Sequence, residues 1–84
     1  MDHPSLKDKV AIVTGAALGM GAATAKLFGA AGASVVVADR NEEKGLEVVS
    51  EITSAGGTAI FQFADVSKTS DVEALVKAAV DNYG

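Results

Sequence analysis

The most informative stretch of this 84-residue sequence is Thr14-Gly15-Ala16-Ala17-Leu18-Gly19-Met20-Gly21. It follows the short β-branched run 10–13 and opens an alanine-rich segment, 22–31. A short continuous apolar run is typical of a strand that is buried on both faces, whereas alanine is the strongest helix former. The stretch therefore predicts a strand, a glycine-rich turn and a helix, in that order.

Further strands and helices follow with short connections. Apolar runs at 34–38 and 58–64 predict the second and third strands. Asn41 is the expected N-cap of a helix that ends at Gly56-Gly57, and a last helix covers about 70–83. Strands that alternate with helices in this way pair in parallel, with right-handed crossovers. The predicted fold class is α/β, with the order β-α-β-α-β-α in one domain over residues 1–84.

Helical spacing also predicts which side of each helix is buried. The three stripes are Met20, Ala23, Leu27 and Ala30 in the first helix, Leu46, Val49 and Ile52 with Val48 beside them in the second, and Val72, Leu75, Val76, Ala79, Val80 and Tyr83 in the third. The pattern Ser70-x-x-Glu73 predicts a capping box at the start of the last helix.

The composition of the chain argues against several classes of function. The net charge of −4 argues against a nucleic-acid partner, which requires a basic face. The chain has no cysteine and a single histidine, His3, so no metal site is expected. No apolar run approaches the length of about 18 residues that a membrane span requires, and residues 1–8 form a polar leader unlike a signal peptide. We therefore expect a cytoplasmic protein without a membrane partner.

The glycines suggest a site for phosphate groups. Backbone N–H groups at a helix N-terminus can point at a phosphate when no side chain stands in the way. We expect Gly15 to make the tight turn, Gly19 to let a pyrophosphate approach, and Gly21 to let the helix pack closely on the strand. The spacing is T-G-x-x-x-G-x-G, since Thr24 stands where the G-x-G-x-x-G pattern requires glycine or alanine. Glycines that only make a turn remain the alternative.

A carboxylate stands at the end of the second predicted strand, at Asp39. It can accept hydrogen bonds from an adenosine ribose and would repel a 2′-phosphate, which favours NAD over NADP. The neighbouring Arg40 could instead hold a 2′-phosphate, and a turn residue flanking a helix is the structural alternative for Asp39. At the end of the third strand, Asp65-Val66 could flank an adenine ring, although an Asp turn before a helix explains the pair equally well.

Together these residues resemble the short-chain dehydrogenase/reductase family, over essentially the whole chain after Leu6. The matching segments are 9–15 (KVAIVTG), 19–21 (GMG), 37–40 (VADR) and 65–67 (DVS). The resemblance implies a partial three-layer Rossmann-type sheet, doubly wound, and an NAD cofactor. It implies cofactor contacts from Gly15, Leu18, Gly19, Met20, Gly21, Asp39, Asp65 and Val66, and Arg40 is added for its place beside Asp39. It also implies that the complete enzyme is a homo-oligomer acting on a small-molecule substrate.

The catalytic motifs of that family are absent from these 84 residues. There is no Asn-Asn-Ala-Gly segment and no Tyr-x-x-x-Lys pair, because the single tyrosine, Tyr83, is followed only by Gly84. We expect the chain to be the N-terminal, NAD(P)-binding first third of an oxidoreductase that moves a hydride between a nicotinamide ring and a carbonyl or secondary alcohol. We expect no catalytic residue in it and no activity from it alone.

Other classes of function compete with this interpretation. A non-catalytic nucleotide-binding or interaction module is the alternative, because every expected adenosine contact lies within the chain. A methyltransferase fits less well, given the Thr14-Gly15 start and the spacing from Gly15 to Gly21, and a P-loop is excluded because the sequence has no G-x-x-x-x-G-K-[ST]. For any of these functions, the first strand is expected at an unpaired, apolar edge of the sheet.

Overall fold

A computed structural model describes residues 6–84 as three strands that alternate with three helices. The elements are β1 (Val10–Thr14), α1 (Gly19–Ala30), β2 (Ser34–Asp39), α2 (Glu42–Ser54), β3 (Thr58–Phe63) and α3 (Thr69–Tyr83). Their order confirms the sequence prediction, and their bounds differ from the predicted ones by one residue at most positions. Residues 1–5, with His3 and most of the predicted leader, lie outside the described residues.

The three strands form one parallel sheet in the order β1-β2-β3. Ser34 of β2 aligns with Val10 of β1 and with Thr58 of β3, so all three strands end at the same side of the sheet. Helices cover both faces, since α1 and α2 pack on one core cluster and α3 on the other. The α/β class and the partial doubly wound sheet are therefore confirmed.

The central strand β2 supplies the core of both layers. Val35 and Val37 belong to the cluster beneath α1 and α2, and Val36 and Ala38 to the cluster beneath α3. Their side chains have essentially no exposed surface. Burying one valine side chain stabilises a fold by about 1.5–3 kcal/mol. Because both faces of β2 are buried, apolar β-branched residues suit every position of this run.

The predicted stripe of α1 was wrong. All four of its members are exposed, with Met20 86% and Leu27 66% accessible. The buried side is instead formed by Ala22, Ala25 and Gly29. Apolar residues occur all around this helix, so their periodicity does not select a face, and the close approach of α1 to its neighbours selects the smallest side chains.

In α2, the predicted N-cap is confirmed and the predicted face is partly wrong. The Asn41 side chain accepts a hydrogen bond of 3.0 Å from the Lys44 N–H. Val48 and Ile52 are buried as expected, but Leu46 is half-exposed and Gly45 takes the buried place beside it. A Cβ at Gly45 would lie 2.2 Å from Cε1 of Phe61, so this helical glycine makes room for an aromatic ring of β3.

The predicted capping box of α3 is also wrong. The helix starts at Thr69 after Lys68, without a side-chain cap, so Ser70 already lies inside the first turn. Asp71 reaches back instead, and its Oδ2 accepts the Asp65 N–H at 2.9 Å. This hydrogen bond ties the first turn of α3 to the preceding connection, and the helix starts one residue before Ser70.

The predicted stripe of α3 is buried only along one row. Leu75 and Ala79 are buried, and Tyr83 packs against them as expected, with a pKa that burial raises above its ordinary value. Val72, Val76 and Val80 remain exposed. The helix therefore carries a second, uncovered row of apolar side chains within the described part of the chain.

At the margins of the fold, strand β1 lies at one edge of the sheet, as expected. Val10 and Ile12 are about 40% accessible there. Leu6, which falls in the predicted leader, packs against the core beneath α1 and α2, and its N–H donates to the carbonyl of Ala31 at 2.8 Å. None of the helices in residues 6–84 is both long and apolar enough to span a membrane.

The Gly45–Phe61 contact gives a prediction that opposes helix propensity. Gly45→Ala should lower the free energy of unfolding by about 1–3 kcal/mol, because the overpacked methyl outweighs the gain of about 1 kcal/mol from replacing a helical glycine. Chemical denaturation measures the change. Ser50→Ala, on the exposed side of the same helix, is the control and should be neutral or slightly stabilising. A more stable Gly45→Ala variant would show that the ring moves freely aside.

Candidate functional site

The connections that follow the three strands meet at one end of the sheet, where they border a cavity of about 220 Å³. Its lining consists of Gly15, Asp39, Arg40, Ala64, Asp65, Val66 and Ser67. Five of the nine predicted cofactor residues are thus brought together. In open α/β sheets, ligands bind in the crevice outside the carboxyl ends of the strands, which is the position of this cavity.

The turn after β1 has a backbone that requires glycine at two positions. Gly15 and Gly19 have φ angles of 63° and 58°, in the left-handed region that costs other residues about 1–2 kcal/mol. A Cβ built on either glycine would meet no atom within 4 Å. The space outside these two residues is therefore open, and a ligand could approach the backbone there.

Gly21 lies where the start of α1 comes close to the residues that follow β1. A Cβ at Gly21 would lie 2.0 Å from the carbonyl oxygen of Gly15 and 3.2 Å from Cα of Ala16. The first turn of α1 therefore packs closely on the glycine turn at Gly21, while Ala22 and Ala25 share a core cluster with Val13 of β1. Any larger residue at this position would push the turn away from the helix.

The N-terminus of α1 has neither a side-chain cap nor an acidic residue in its first turn. By contrast, α2 has the Asn41 cap and two glutamates, Glu42 and Glu43. The N–H groups of a first helical turn carry partial positive charge and attract anions. Leu18 and Met20, two further predicted residues, flank this turn with side chains that are mostly exposed.

Asp39 joins the end of β2 to the glycine turn. Its Oδ2 accepts the N–H of Ala17 at 3.1 Å, and its Oδ1 accepts the N–H of Asn41 at 2.9 Å. The neighbouring Ala16 N–H donates to the carbonyl of Ala38 at 3.1 Å. These two tethers of the turn were not apparent from the sequence, because they use backbone groups of alanines.

Asp65 adopts a local turn in which Oδ1 accepts both the Ser67 hydroxyl, at 2.6 Å, and the Ser67 N–H, at 3.0 Å. The pKa of Asp65 lies below its ordinary value, and the hydroxyl contact is the largest cause, followed by the N–H contact. Burial opposes this shift, and the charges of Arg40 and Lys68 support it. Both contacts use Oδ1, so they leave Oδ2 of Asp65 beside the exposed Val66.

Sequence reasoning missed two residues that support the site through hydrogen bonds: Ser67, which lies in the cavity lining, and Asp71, which lies outside it. Ser67 could have been found from the Asp-x-Ser pattern, which is typical of a side-chain turn. Asp71 gives no such signal, because its partner is a backbone N–H six residues earlier. The other predicted residues, Leu18, Gly19, Met20 and Gly21, lie on the adjoining turn and at the start of α1 rather than in the cavity lining.

Comparisons with known proteins agree with this geometry. The family model described as short chain dehydrogenase matches residues 9–84. A 2,5-dichloro-2,5-cyclohexadiene-1,4-diol dehydrogenase of Sphingobium indicum is 47% identical over 79 residues, which cover 94% of this chain and 32% of that protein. The 3beta-hydroxysteroid dehydrogenase 1 of Eggerthella lenta is 46% identical over 83 residues, with coverages of 98% and 32%.

A solved structure is similar in three dimensions. The hydroxysteroid dehydrogenase from Escherichia coli superposes with a TM-score of 0.93 at 40% identity, over 95% of this chain and 34% of that one. The chain therefore spans about a third of the length of the relatives it matches.

The Asp65 turn gives a prediction about ionisation. Ser67→Ala should raise the pKa of Asp65 toward its ordinary value, because the carboxylate loses its hydroxyl donor while the backbone N–H remains. Carboxyl ¹³C chemical shifts followed through an acid titration measure the change. Ser70→Ala, which removes an exposed hydroxyl three residues later, should leave that titration unaltered. An unchanged pKa in Ser67→Ala would contradict the assigned cause.

Proposed function

Because this chain belongs to the short-chain dehydrogenase/reductase family, we propose that its site holds the adenosine and pyrophosphate portions of NAD for an oxidoreductase. One observation carries the proposal. Gly15 of the glycine turn, Asp39, and the pair Asp65 and Val66 border a single crevice at the carboxyl ends of parallel strands, and the open backbone of Gly19 lies on the adjoining turn. Each part suits a different portion of one dinucleotide.

The pyrophosphate is assigned to the start of α1. Its charge would be met by N–H groups of the first helical turn, which have no side-chain cap. Gly19 leaves the approach open, and Gly21 keeps the turn against the helix. Leu18 and Met20 contribute backbone N–H groups in the same segment, so the proposal requires no cation at this position.

The adenosine is assigned to the cavity between the ends of β2 and β3. A carboxylate offers about four lone-pair positions, and the two hydrogen bonds seen at Asp39 leave room for ribose hydroxyls. The free Oδ2 of Asp65 suits the amino group of adenine, while Val66 offers an apolar surface for the ring. Both contacts are inferred from the residues that line the cavity.

We assign NAD rather than NADP. A 2′-phosphate beside the ribose would come close to the negative charge of Asp39, and like charges at short distance repel. Arg40 is the opposing consideration, because its guanidinium also borders the cavity. We infer that the carboxylate dominates, because it stands at the strand end while Arg40 is largely exposed.

The activity of the complete protein is a wider proposal. The nicotinamide ring would accept a hydride as NAD+ and donate one as NADH. We propose that the whole enzyme, a cytoplasmic homo-oligomer, oxidises a secondary alcohol with NAD+ or reduces a carbonyl of a small molecule with NADH and a proton. Residues 1–84 form its N-terminal cofactor-binding part, and the catalytic side chains belong outside this stretch. No comparison supports a non-catalytic module, and the family match disfavours a methyltransferase.

Cofactor preference can be tested without catalysis. The chain should bind ADP-ribose more than about tenfold more tightly than 2′-phospho-ADP-ribose, which corresponds to about 1.4 kcal/mol of repulsion at Asp39. Isothermal titration calorimetry measures both affinities at the same salt concentration. Equal affinities, or tighter binding of the 2′-phosphate, would assign the site to NADP and give Arg40 the deciding role.

The pyrophosphate position can be tested at Gly19. Gly19→Val should abolish binding of ADP-ribose while binding of adenosine is retained, because only the phosphates approach this backbone. Ala23→Val adds the same side chain to the exposed side of α1 and should leave both ligands bound. Thermal melting checks that each variant is folded. If Gly19→Val keeps full affinity for ADP-ribose, the phosphates lie elsewhere.

A further inference from the structure

Asp39 has a role that precedes any contact with a ligand. Its two carboxylate oxygens are each engaged by a backbone N–H from a different segment, Ala17 in the glycine turn and Asn41 before α2. The Ala17 bond crosses 22 residues of sequence. We propose that Asp39 is a positioning residue, which holds the glycine turn in the conformation that binds phosphate, in addition to any contact with ribose.

The Ala17 N–H is costly to leave without an acceptor. Ala17 is only 5% exposed and Ala16 is fully buried. A buried N–H that loses its partner destabilises the conformation that buries it, and hydrogen bonds to a carboxylate are stronger than those between neutral groups. Without the carboxylate, the turn must therefore move to bring the Ala17 N–H to water or to another acceptor.

Movement of the glycine turn would displace the backbone N–H groups that are proposed to bind the phosphates. The turn is fixed at its start by the bond from the Ala16 N–H to the carbonyl of Ala38. At its other end, the backbone of Gly21 lies so close to the Gly15 carbonyl that no Cβ would fit between them. Asp39 supplies the tether between these two points, immediately before Leu18 and Gly19. Displacement there changes the direction of the first N–H groups of α1.

The same carboxylate organises the start of α2. Oδ1 accepts the Asn41 N–H, and the Asn41 side chain caps the Lys44 N–H. One side chain therefore links the glycine turn, the end of β2 and the N-terminus of the next helix. A contact that served ribose alone would require none of these bonds.

This inference rests on the proposed function, and the choice of ligand separates the two roles. ADP offers both ribose hydroxyls, whereas 2′,3′-dideoxy-ADP offers neither and keeps the diphosphate. If Asp39 acts only on ribose, Asp39→Ala should weaken binding of ADP and leave dideoxy-ADP unaffected. If Asp39 positions the turn, Asp39→Ala should also weaken dideoxy-ADP, by about tenfold or more.

The experiment uses the 84-residue chain and three variants. Calorimetry gives the affinities of both ligands for the wild type, Asp39→Ala, Asp39→Asn and the control Asp81→Ala, which removes a carboxylate that pairs with Lys77 on the surface of α3. Asp39→Asn keeps one acceptor oxygen for two N–H donors, so its loss should be intermediate. If Asp39→Ala does not fold, Asp39→Asn still tests the inference through the same two affinities. The control should match the wild type.

Amide hydrogen exchange tests the tether without any ligand. In Asp39→Ala, exchange of the Ala17 amide should accelerate relative to the Ala16 amide and to the amides of 35–37, which report global stability. Unchanged relative exchange at Ala17, or loss of ADP affinity with no loss for dideoxy-ADP, would overturn the inference. If the wild type binds neither ligand, the proposed function fails for this chain, and the Ala17 amide still decides whether Asp39 holds the turn.

Discussion

The burial of β2 on both faces is the constraint on which the other features depend. Val35, Val36 and Val37 have no exposed surface, and the strand pairs with β1 on one side and β3 on the other. Its pairing with both neighbours is parallel, which requires a crossover connection on each side, and α1 and α2 provide the two crossovers. The ends of the strands then meet at one side of the sheet, and Asp39 comes within hydrogen-bond distance of the glycine turn although 22 residues separate it from Ala17. The site is a consequence of the sheet's register.

The proposed site would bind a negatively charged ligand mainly through backbone dipoles rather than through cations. The chain carries a net charge of −4, and the glycine turn has no lysine or arginine between Thr14 and Gly21. The charged groups at the cavity are two carboxylates, Asp39 and Asp65, with Arg40 as the lining cation. Such a site selects by geometry, because N–H groups fixed in direction lose little freedom when an anion arrives. That requirement explains why the turn is held at several points.

Much of the architecture could be predicted from local pattern. The β-branched runs predict the strands, Asn41 predicts the start of α2, and the positions of Asp39 and Asp65 after their strands predict that both lie beside one nucleotide. The buried faces of the helices could not be predicted as well. In α1 the apolar residues have no preferred side, and the burial of Gly29 and Gly45 depends on Ile52 and Phe61, which are distant in sequence. The prediction of a capping box for α3 was wrong for the same reason, because Asp71 accepts a hydrogen bond from the backbone of the preceding connection. Periodicity describes one element, whereas these contacts belong to pairs of elements.

The fit of the Phe61 ring over Gly45 also bears on how relatives of this chain diverge. A side chain at position 45 and a six-membered ring at position 61 exclude each other in this packing, since the added carbon would overlap the ring edge. Substitution at one of the two sites therefore changes which side chains fit at the other, and we expect the two positions to vary together. Homologues that carry alanine or serine at the first site should accordingly carry a smaller aliphatic residue at the second, a coupled drift that an alignment of many descendants would record.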